Sequence, residues 1–216
     1  MSQSNRLRIT EIFYSLQGES ITSGLPTVFI RLTGCPLRCQ YCDTEYAFQG
    51  GEWMDIDQIL NRVNELGAPY VCVTGGEPLA QKNVKKLLSD LCDKDYVVSL
   101  ETSGAISVAD IDPRVSKVMD LKTPDSGEQL KNMLSNLELL SETDQLKFVL
   151  CSRGDYDWAK SVLEEYQLIG RLEILFSVSF GQLGATDLAN WIIEDGLNVR
   201  FQMQFHKLLW NDEPGH

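Results

Sequence analysis

Three of the six cysteines in this 216-residue chain fall within eight positions, in the stretch "GCPLRCQYC" that carries Cys35, Cys39 and Cys42. Thiolates are soft ligands, and in a reducing compartment a cluster this tight reads as a metal or redox site, not as a disulfide framework. A structural zinc site takes four ligands. The chain has no second C-x-x-C, and its two histidines, His206 and His216, are far along the sequence. A catalytic zinc leaves one position open on three protein ligands, although three cysteines on one loop would be an unusual version of it. A ferredoxin-type carrier uses four cysteines per cluster, and this run stops at three. The remaining reading is an iron–sulfur cluster on three thiolates whose fourth iron is open to a small molecule. A non-catalytic metal-binding module that recruits a partner is an alternative of a different class. Cys72, Cys92 and Cys151 stand singly in apolar stretches and read as small core residues.

The order C-x3-C-x2-C, with Tyr41 just before the last cysteine and a β-rich stretch before the loop, resembles the signature of the radical S-adenosylmethionine (SAM) superfamily. The resemblance implies a 4Fe–4S cluster on Cys35, Cys39 and Cys42. Its open iron would chelate the amino and carboxylate groups of SAM, with Tyr41 against the cofactor. Reduction would release a 5′-deoxyadenosyl radical that takes a hydrogen from the substrate, the cofactor carrying the hard chemistry. "VTGGEP", residues 73–78, follows the next strand and resembles the superfamily's GGE motif. There Gly75, Gly76 and Glu77 would meet SAM, glycine allowing backbone to come close to a ligand.

Four further stretches, "FYSLQGES" (13–20), "FIRLTGCPLRCQYCDT" (29–44), "ETSG" (101–104) and "FHKLLW" (205–210), together resemble the 7-carboxy-7-deazaguanine synthase family from about residue 8 to about residue 210. That resemblance implies conversion of 6-carboxy-5,6,7,8-tetrahydropterin to 7-carboxy-7-deazaguanine, with ring contraction and loss of ammonia. It further implies Mg²⁺, a homodimer, and an electron donor such as flavodoxin or ferredoxin. Leu16, Gln17, Gly18 and Glu19 would line the pterin, Thr74 would face it, and Thr44 would offer its hydroxyl to Mg²⁺, a hard cation that takes oxygen ligands. Asp120, Leu121 and Lys122 would form a second SAM contact, in "DLKTP" where a Ser-Pro-Lys-like sequence is expected in part of the family. Glu101 and Ser103 would line the SAM ribose or sulfonium, and Ser177 the adenosine. Arg31 interrupts the apolar strand "VFIRL", where a charge needs a partner. That partner is either a structural carboxylate or the substrate carboxylate, which Arg grips bidentately. Ser20 stands where glycine is usual. Some members turn their terminal carboxylate on the substrate, and here "NDEPGH" carries the chain on to His216. A glycyl-radical activating enzyme shares C-x3-C-x2-C, but "SLQGE" and "CDT", and the absence of an inserted ferredoxin-like cysteine set, weigh against it.

These residues need elements to hold them. Apolar β-rich segments at 7–15, 27–34, 70–74, 96–102, 117–122, 145–150, 171–179 and 198–204 alternate with helical spacings at 54–67, 83–94, 127–140, 155–168 and 185–196. Continuous apolar strands separated by helices predict parallel strands buried on both faces. The expected fold is α/β: a reduced or partial TIM-type barrel of about six βα units, of the radical SAM type, in a single domain over 1–216. Its working residues would sit past the C-terminal strand ends.

With 31 acidic against 19 basic residues, the net charge of −12 excludes a large electrostatic grip on nucleic acid. The first residues lack the apolar core of a signal peptide, and no apolar run approaches the ~18–20 residues of a membrane span. A cytoplasmic enzyme acting on a small molecule is the expectation.

Overall fold

The structure is a computed structural model that describes residues 5–211, 213 and 215; His216 lies outside the described residues. Strands β1 (Arg6–Leu16) and β2 (Pro26–Leu32) form an antiparallel hairpin, and β3 (Glu52–Asp55) pairs antiparallel with the start of β1. From β2 onward every pairing is parallel, through β4 (Tyr70–Gly75), β5 (Val97–Thr102), β6 (Ser116–Asp120), β7 (Gln145–Leu150), β8 (Glu173–Val178) and β9 (Arg200–Gln202). The order is β3-β1-β2-β4-β5-β6-β7-β8-β9, with β3 and β9 as free ends. This is the partial barrel expected, with an antiparallel N-terminal flap in place of parallel strands throughout.

Helices α1 (Ile56–Leu66), α2 (Val84–Cys92), α3 (Arg153–Glu165) and α4 (Ala185–Glu194) pack outside, and α5 (Phe205–Trp210) follows β9. The limits of α1 come from local chemistry. The Asp55 backbone N–H donates to Gln58 Oε1 at 2.9 Å, and Gly67 ends the helix with φ +73. Residues 127–140 are not a helix. They form short 3-10 turns at Gln129–Lys131 and Leu134–Leu139, and Leu130 is 96% exposed. Two asparagines explain this, because their amides bond to backbone 28 to 32 or 10 residues away in place of a local helical ladder. Asn136 donates to the Gly104 and Ile106 carbonyls and accepts from Val108 N, while Asn132 bonds both the N–H and the C=O of Lys122.

The strands are not apolar on both faces. In β7, Leu146, Phe148 and Leu150 join the helix-covered core, while Lys147 and Val149 face the barrel interior. In β2, Val28, Ile30 and Leu32 face out, and Phe29 and Arg31 face in. The polar inner residues keep the barrel from filling with side-chain layers, and a cavity opens at the C-terminal strand ends.

The β1–β2 connection closes part of the open side. Gln17 N and Leu25 O pair at 2.9 Å, and the Gln202 side-chain amide bonds both the N–H and the C=O of Ser20, at 3.1 and 2.8 Å. Ile21 N adds a bond to Gln145 Oε1 at 2.9 Å. Ser20 sits at φ +71, a left-handed conformation that costs a side-chain-bearing residue about 1–2 kcal/mol. Its hydroxyl offsets this by pairing with Thr22 Oγ1 at 2.8 Å and accepting from Thr22 N at 3.2 Å. Ser20→Gly is therefore expected to leave stability near neutral, trading strain for lost hydrogen bonds. Ser20→Ala keeps the strain and loses the bonds, at a cost of about 0.5–1.5 kcal/mol. Urea midpoints of the two variants check this.

Candidate active site

A cavity of about 540 Å³ lies at the C-terminal ends of the parallel strands, between the cysteine loop, the β1–β2 loop and the segment around α5. Cys35, Cys39 and Cys42 all line it, half-buried and free of disulfides. Their loop is held from several sides. Gly34 N donates to Ala47 O and Glu77 N to Gly34 O, each at 2.8 Å; Gln40 N donates to Ser126 O at 3.0 Å, and Arg38 N to Glu128 Oε1 at 2.6 Å. The glycine pair serves this packing. A Cβ on Gly75 would lie 2.4 Å from Leu32 O, and one on Gly76 2.3 Å from Gly34 O and 2.8 Å from Cys35 Cβ. Both glycines thus let the end of β4 press against the end of β2 and the cysteine loop.

Burial raises the pKa of all three thiols, that of Cys39 to about 11, against the opposing pull of the Lys122 ammonium. Neighbouring iron would supply the positive charge that thiolates need here. Among the described residues no three His, Cys, Asp or Glu groups converge closely enough for one metal ion. Three soft sulfur donors around one cavity, without a single-ion centre, fit an iron–sulfur cluster better than zinc.

Beneath the cysteines runs a chain of buried charges. Lys147 Nζ is 2.6 Å from Glu19 Oε2 and 3.6 Å from Asp120 Oδ2; Lys122 Nζ is 3.2 Å from the same Asp120 oxygen and 5.6 Å from the centre of the Tyr41 ring. Burial by itself lowers both lysines, yet the surrounding carboxylates hold them above the ordinary lysine value, Lys147 chiefly through Glu19 and Lys122 chiefly through Asp120. Glu19 Oε1, Asp120 Oδ1 and the Tyr41 hydroxyl are buried without a hydrogen-bond partner among the described residues. Such groups usually answer to water or a ligand.

At the other end, Arg31 Nε donates to Glu11 Oε1 at 2.6 Å, and the Tyr46 hydroxyl donates to that oxygen at 2.8 Å. The guanidinium lies 5.8 Å from the Phe13 and Tyr46 ring centres. The structural partner therefore exists, and the terminal guanidinium nitrogens make no hydrogen bond among the described residues. Both readings of Arg31 are compatible, one nitrogen to Glu11 and the fork to the cavity. Thr74 Oγ1 donates to Glu101 Oε2 at 2.9 Å, and Gln17 Oε1 accepts from Glu19 N at 3.2 Å. Thr44 precedes a 3-10 turn but does not cap it; its hydroxyl donates to Asp43 Oδ1 at 2.8 Å. Asp43 keeps 32% of its side chain exposed; the protein packed around it would raise its carboxyl, yet Lys207 at 2.9 Å holds it below the usual carboxylate range.

Leu16, Gly18 and Ser103 also line the cavity, but three expected residues do not. Glu77 is fully buried, and its carboxylate accepts from Leu79 N, Thr102 Oγ1, Ser103 N and Ser103 Oγ. It braces the ends of β4 and β5, with its oxygens engaged by protein donors and not turned to the cavity. Leu121 packs into the helix-covered core, and Ser177 is buried with its hydroxyl unpartnered. Sequence reasoning missed Lys147, Asp43 and Lys207. Lys147 had a legible signal, since it interrupts "QLKFVL" as Arg31 interrupts "VFIRL".

Residues 29–170 match the profile of the Radical SAM superfamily. The chain is 47% identical to the 7-carboxy-7-deazaguanine synthase of Chlorobaculum tepidum, over 99% of this chain and 98% of that protein. It is 40% identical to the protein of the same name in Koribacter versatilis, over 96% and 98%. The crystal structure of QueE from Escherichia coli is similar at a TM-score of 0.77 and 25% identity, covering 92% of this chain and 94% of that one.

Proposed function

The chain belongs to the 7-carboxy-7-deazaguanine synthase family of the radical SAM superfamily, and we propose that its cavity performs that family's reaction with a distinct task for each wall. The reaction converts 6-carboxy-5,6,7,8-tetrahydropterin to 7-carboxy-7-deazaguanine with loss of ammonia, one step of 7-deazapurine and queuosine biosynthesis. When bound, the 4Fe–4S cluster and SAM supply the radical that starts it. One observation carries the assignment of walls: a single cavity is lined by the three-cysteine loop, the Arg31 guanidinium and the β1–β2 loop together.

Cys35, Cys39 and Cys42 hold the cluster. Tyr41, Gly75, Gly76, Ser103, Asp120 and Lys122 border the SAM end, where burial strengthens each electrostatic contact. Glu77 contributes by fixing Ser103 and the β4 end. Arg31 takes the substrate carboxylate. Leu16, Gln17, Gly18 and Thr74 surround the pterin, Glu101 accepts from Thr74 and borders the SAM end, and Lys147 fixes the Glu19 carboxylate beside the pterin. Thr44, whose hydroxyl donates to Asp43, has lone pairs left for Mg²⁺. A one-electron donor of the flavodoxin or ferredoxin kind supplies the electron to a cytoplasmic homodimer. No described helix is long and apolar enough to cross a membrane, and the net charge of −12 favours a small-molecule substrate over nucleic acid.

The test is anaerobic reconstitution with iron and sulfide, then turnover of the carboxypterin with SAM and dithionite. A brown protein that forms the deazapurine, and loses colour in Cys35→Ala, Cys39→Ala and Cys42→Ala, is the expected result. Full cluster loading with no product would overturn the substrate assignment, and a colourless zinc protein would overturn the cluster.

A further inference from the structure

We propose that Lys207 is a positioning residue that holds α5 closed as a wall of the substrate site, through its ion pair with Asp43 of the cysteine loop. The inference rests on the assignment of the β1–β2 loop to the pterin. Helix α5 has six residues, far below the ~12–15 at which an isolated helix is even marginal in water, so tertiary contacts must hold it. Most of its apolar surface is open to solvent: Phe205, Leu208 and Leu209 are 42%, 52% and 58% exposed, Trp210 is half-buried, and the one buried residue of the helix is Lys207. The lysine's side chain is 8% exposed, its Nζ lies 2.9 Å from Asp43 Oδ2, and it stands 5.8 Å from the centre of the Phe180 ring.

Two further polar contacts run the same way. Gln204 Nε2 donates to Asp43 Oδ2 at 3.3 Å, and Phe205 N donates to Gly18 O at 3.2 Å. The helix is therefore tied on one side to the residue after Cys42 and on the other to the β1–β2 loop. His206 packs so closely on that loop that a Cβ on Gly18 would lie 2.7 Å from its Nδ1. Gln204, His206 and Lys207 all line the cavity. Without the ammonium, the Asp43 carboxylate loses its ion-pair partner at 2.9 Å and keeps, among the described residues, the hydrogen bonds from the Thr44 hydroxyl and the Gln204 amide, so the tie between the cysteine loop and α5 weakens. The cysteine loop keeps its own ties to Ala47, Ser126 and Glu128. Loss of Lys207 thus loosens the substrate wall while the cluster loop stays in place.

The experiment compares reconstituted, SAM-loaded wild type, Lys207→Met and Lys207→Arg. In Lys207→Met, amide hydrogen exchange over residues 204–210 is expected to rise by about tenfold or more. The KM for carboxypterin rises more than kcat falls, and cluster absorbance per chain is unchanged. Lys207→Arg, which keeps the charge, restores slow exchange and low KM. Unchanged exchange in Lys207→Met overturns the proposal, and so does a loss of cluster absorbance equal to the loss of turnover, which would mark a folding defect. If wild type itself leaves the carboxypterin untouched, the substrate assignment fails, and the exchange comparison still decides whether the ion pair holds α5.

Discussion

Lys147→Met is expected to melt about 6–20 °C below the wild type and to lose turnover, because it strands a carboxylate inside the barrel. Lys147 is the cation of both Glu19, at 2.6 Å, and Asp120, at 3.6 Å. Asp120 keeps Lys122 in the variant, at 3.2 Å, whereas among the described residues Glu19 keeps no ion-pair partner, and its second oxygen is already buried without a hydrogen bond there. Breaking a buried pair by removing one member typically costs about 3–5 kcal/mol, and each kcal/mol moves the melting point of a domain this size by about 2–4 °C. The double variant Glu19→Gln/Lys147→Met removes the stranded charge. It should recover most of the melting temperature, while turnover stays low. Thermal melts of the cluster-free proteins, set beside turnover of the reconstituted ones, separate the two effects. The pH dependence has a definite sign. Because the folded state holds Lys147 above its ordinary value, its tighter hold on the proton contributes stability in full from neutral pH up to the unfolded lysine value of about 10.4. That contribution fades only as pH rises through the folded value. Alkaline melts of the wild type should therefore fall late, and those of the double variant should lack this component.

Arg31→Met is expected to lower kcat/KM for the carboxypterin about a hundredfold or more, since truncating one partner of a buried, hydrogen-bonded charge pair costs about 2–5 kcal/mol. Cluster loading and SAM affinity should hold, because the contacts of Arg31 are to Glu11, Phe13 and Tyr46 and not to the cysteine residues. Arg31→Lys should recover only part of the loss. Lysine restores a point charge but cannot bond Glu11 with one nitrogen and present a planar fork with the others. The stability cost should be small, as the Tyr46 hydroxyl still reaches Glu11. Steady-state kinetics at fixed SAM, with SAM binding measured separately, decide the matter. Equal losses in SAM binding and in kcat/KM would show that Arg31 acts through the scaffold, not on the substrate.

Much of this site was legible because it depends on local pattern. The cysteine spacing, the glycine pair after β4 and the charge inside "VFIRL" can each be read from a few neighbouring residues. What could not be read was which neighbour satisfies which group. Glu77 looked like a hand for the SAM ammonium, but it is a brace between two strand ends, a fact that depends on Thr102 and Ser103 arriving from the next strand. The leucines of 127–140 recur at helical spacing, but Asn132 and Asn136 bond distant backbone, and no periodicity reports that. In β7, Lys147 is a single charge in an apolar strand; it marks which strand face looks into the cavity, and with Arg31 it makes the inner wall polar.

The amide of Gln202 and the backbone of Ser20, 182 positions apart in the chain, have a consequence for the order of assembly. Together with the Phe205–Gly18 bond, they mean that the β1–β2 loop, the proposed lining of the pterin site, is finished by β9 and α5. During synthesis the N-terminal hairpin and the cysteine loop emerge first and can pack on β4 and β5 early. Contacts of such long sequence separation form late, and the loop acquires its shape only after β9 has left the ribosome. The cofactor end of the pocket is therefore built before the substrate end, and a nascent or prematurely stopped chain could take up a cluster without yet being able to recognise what the cluster is for.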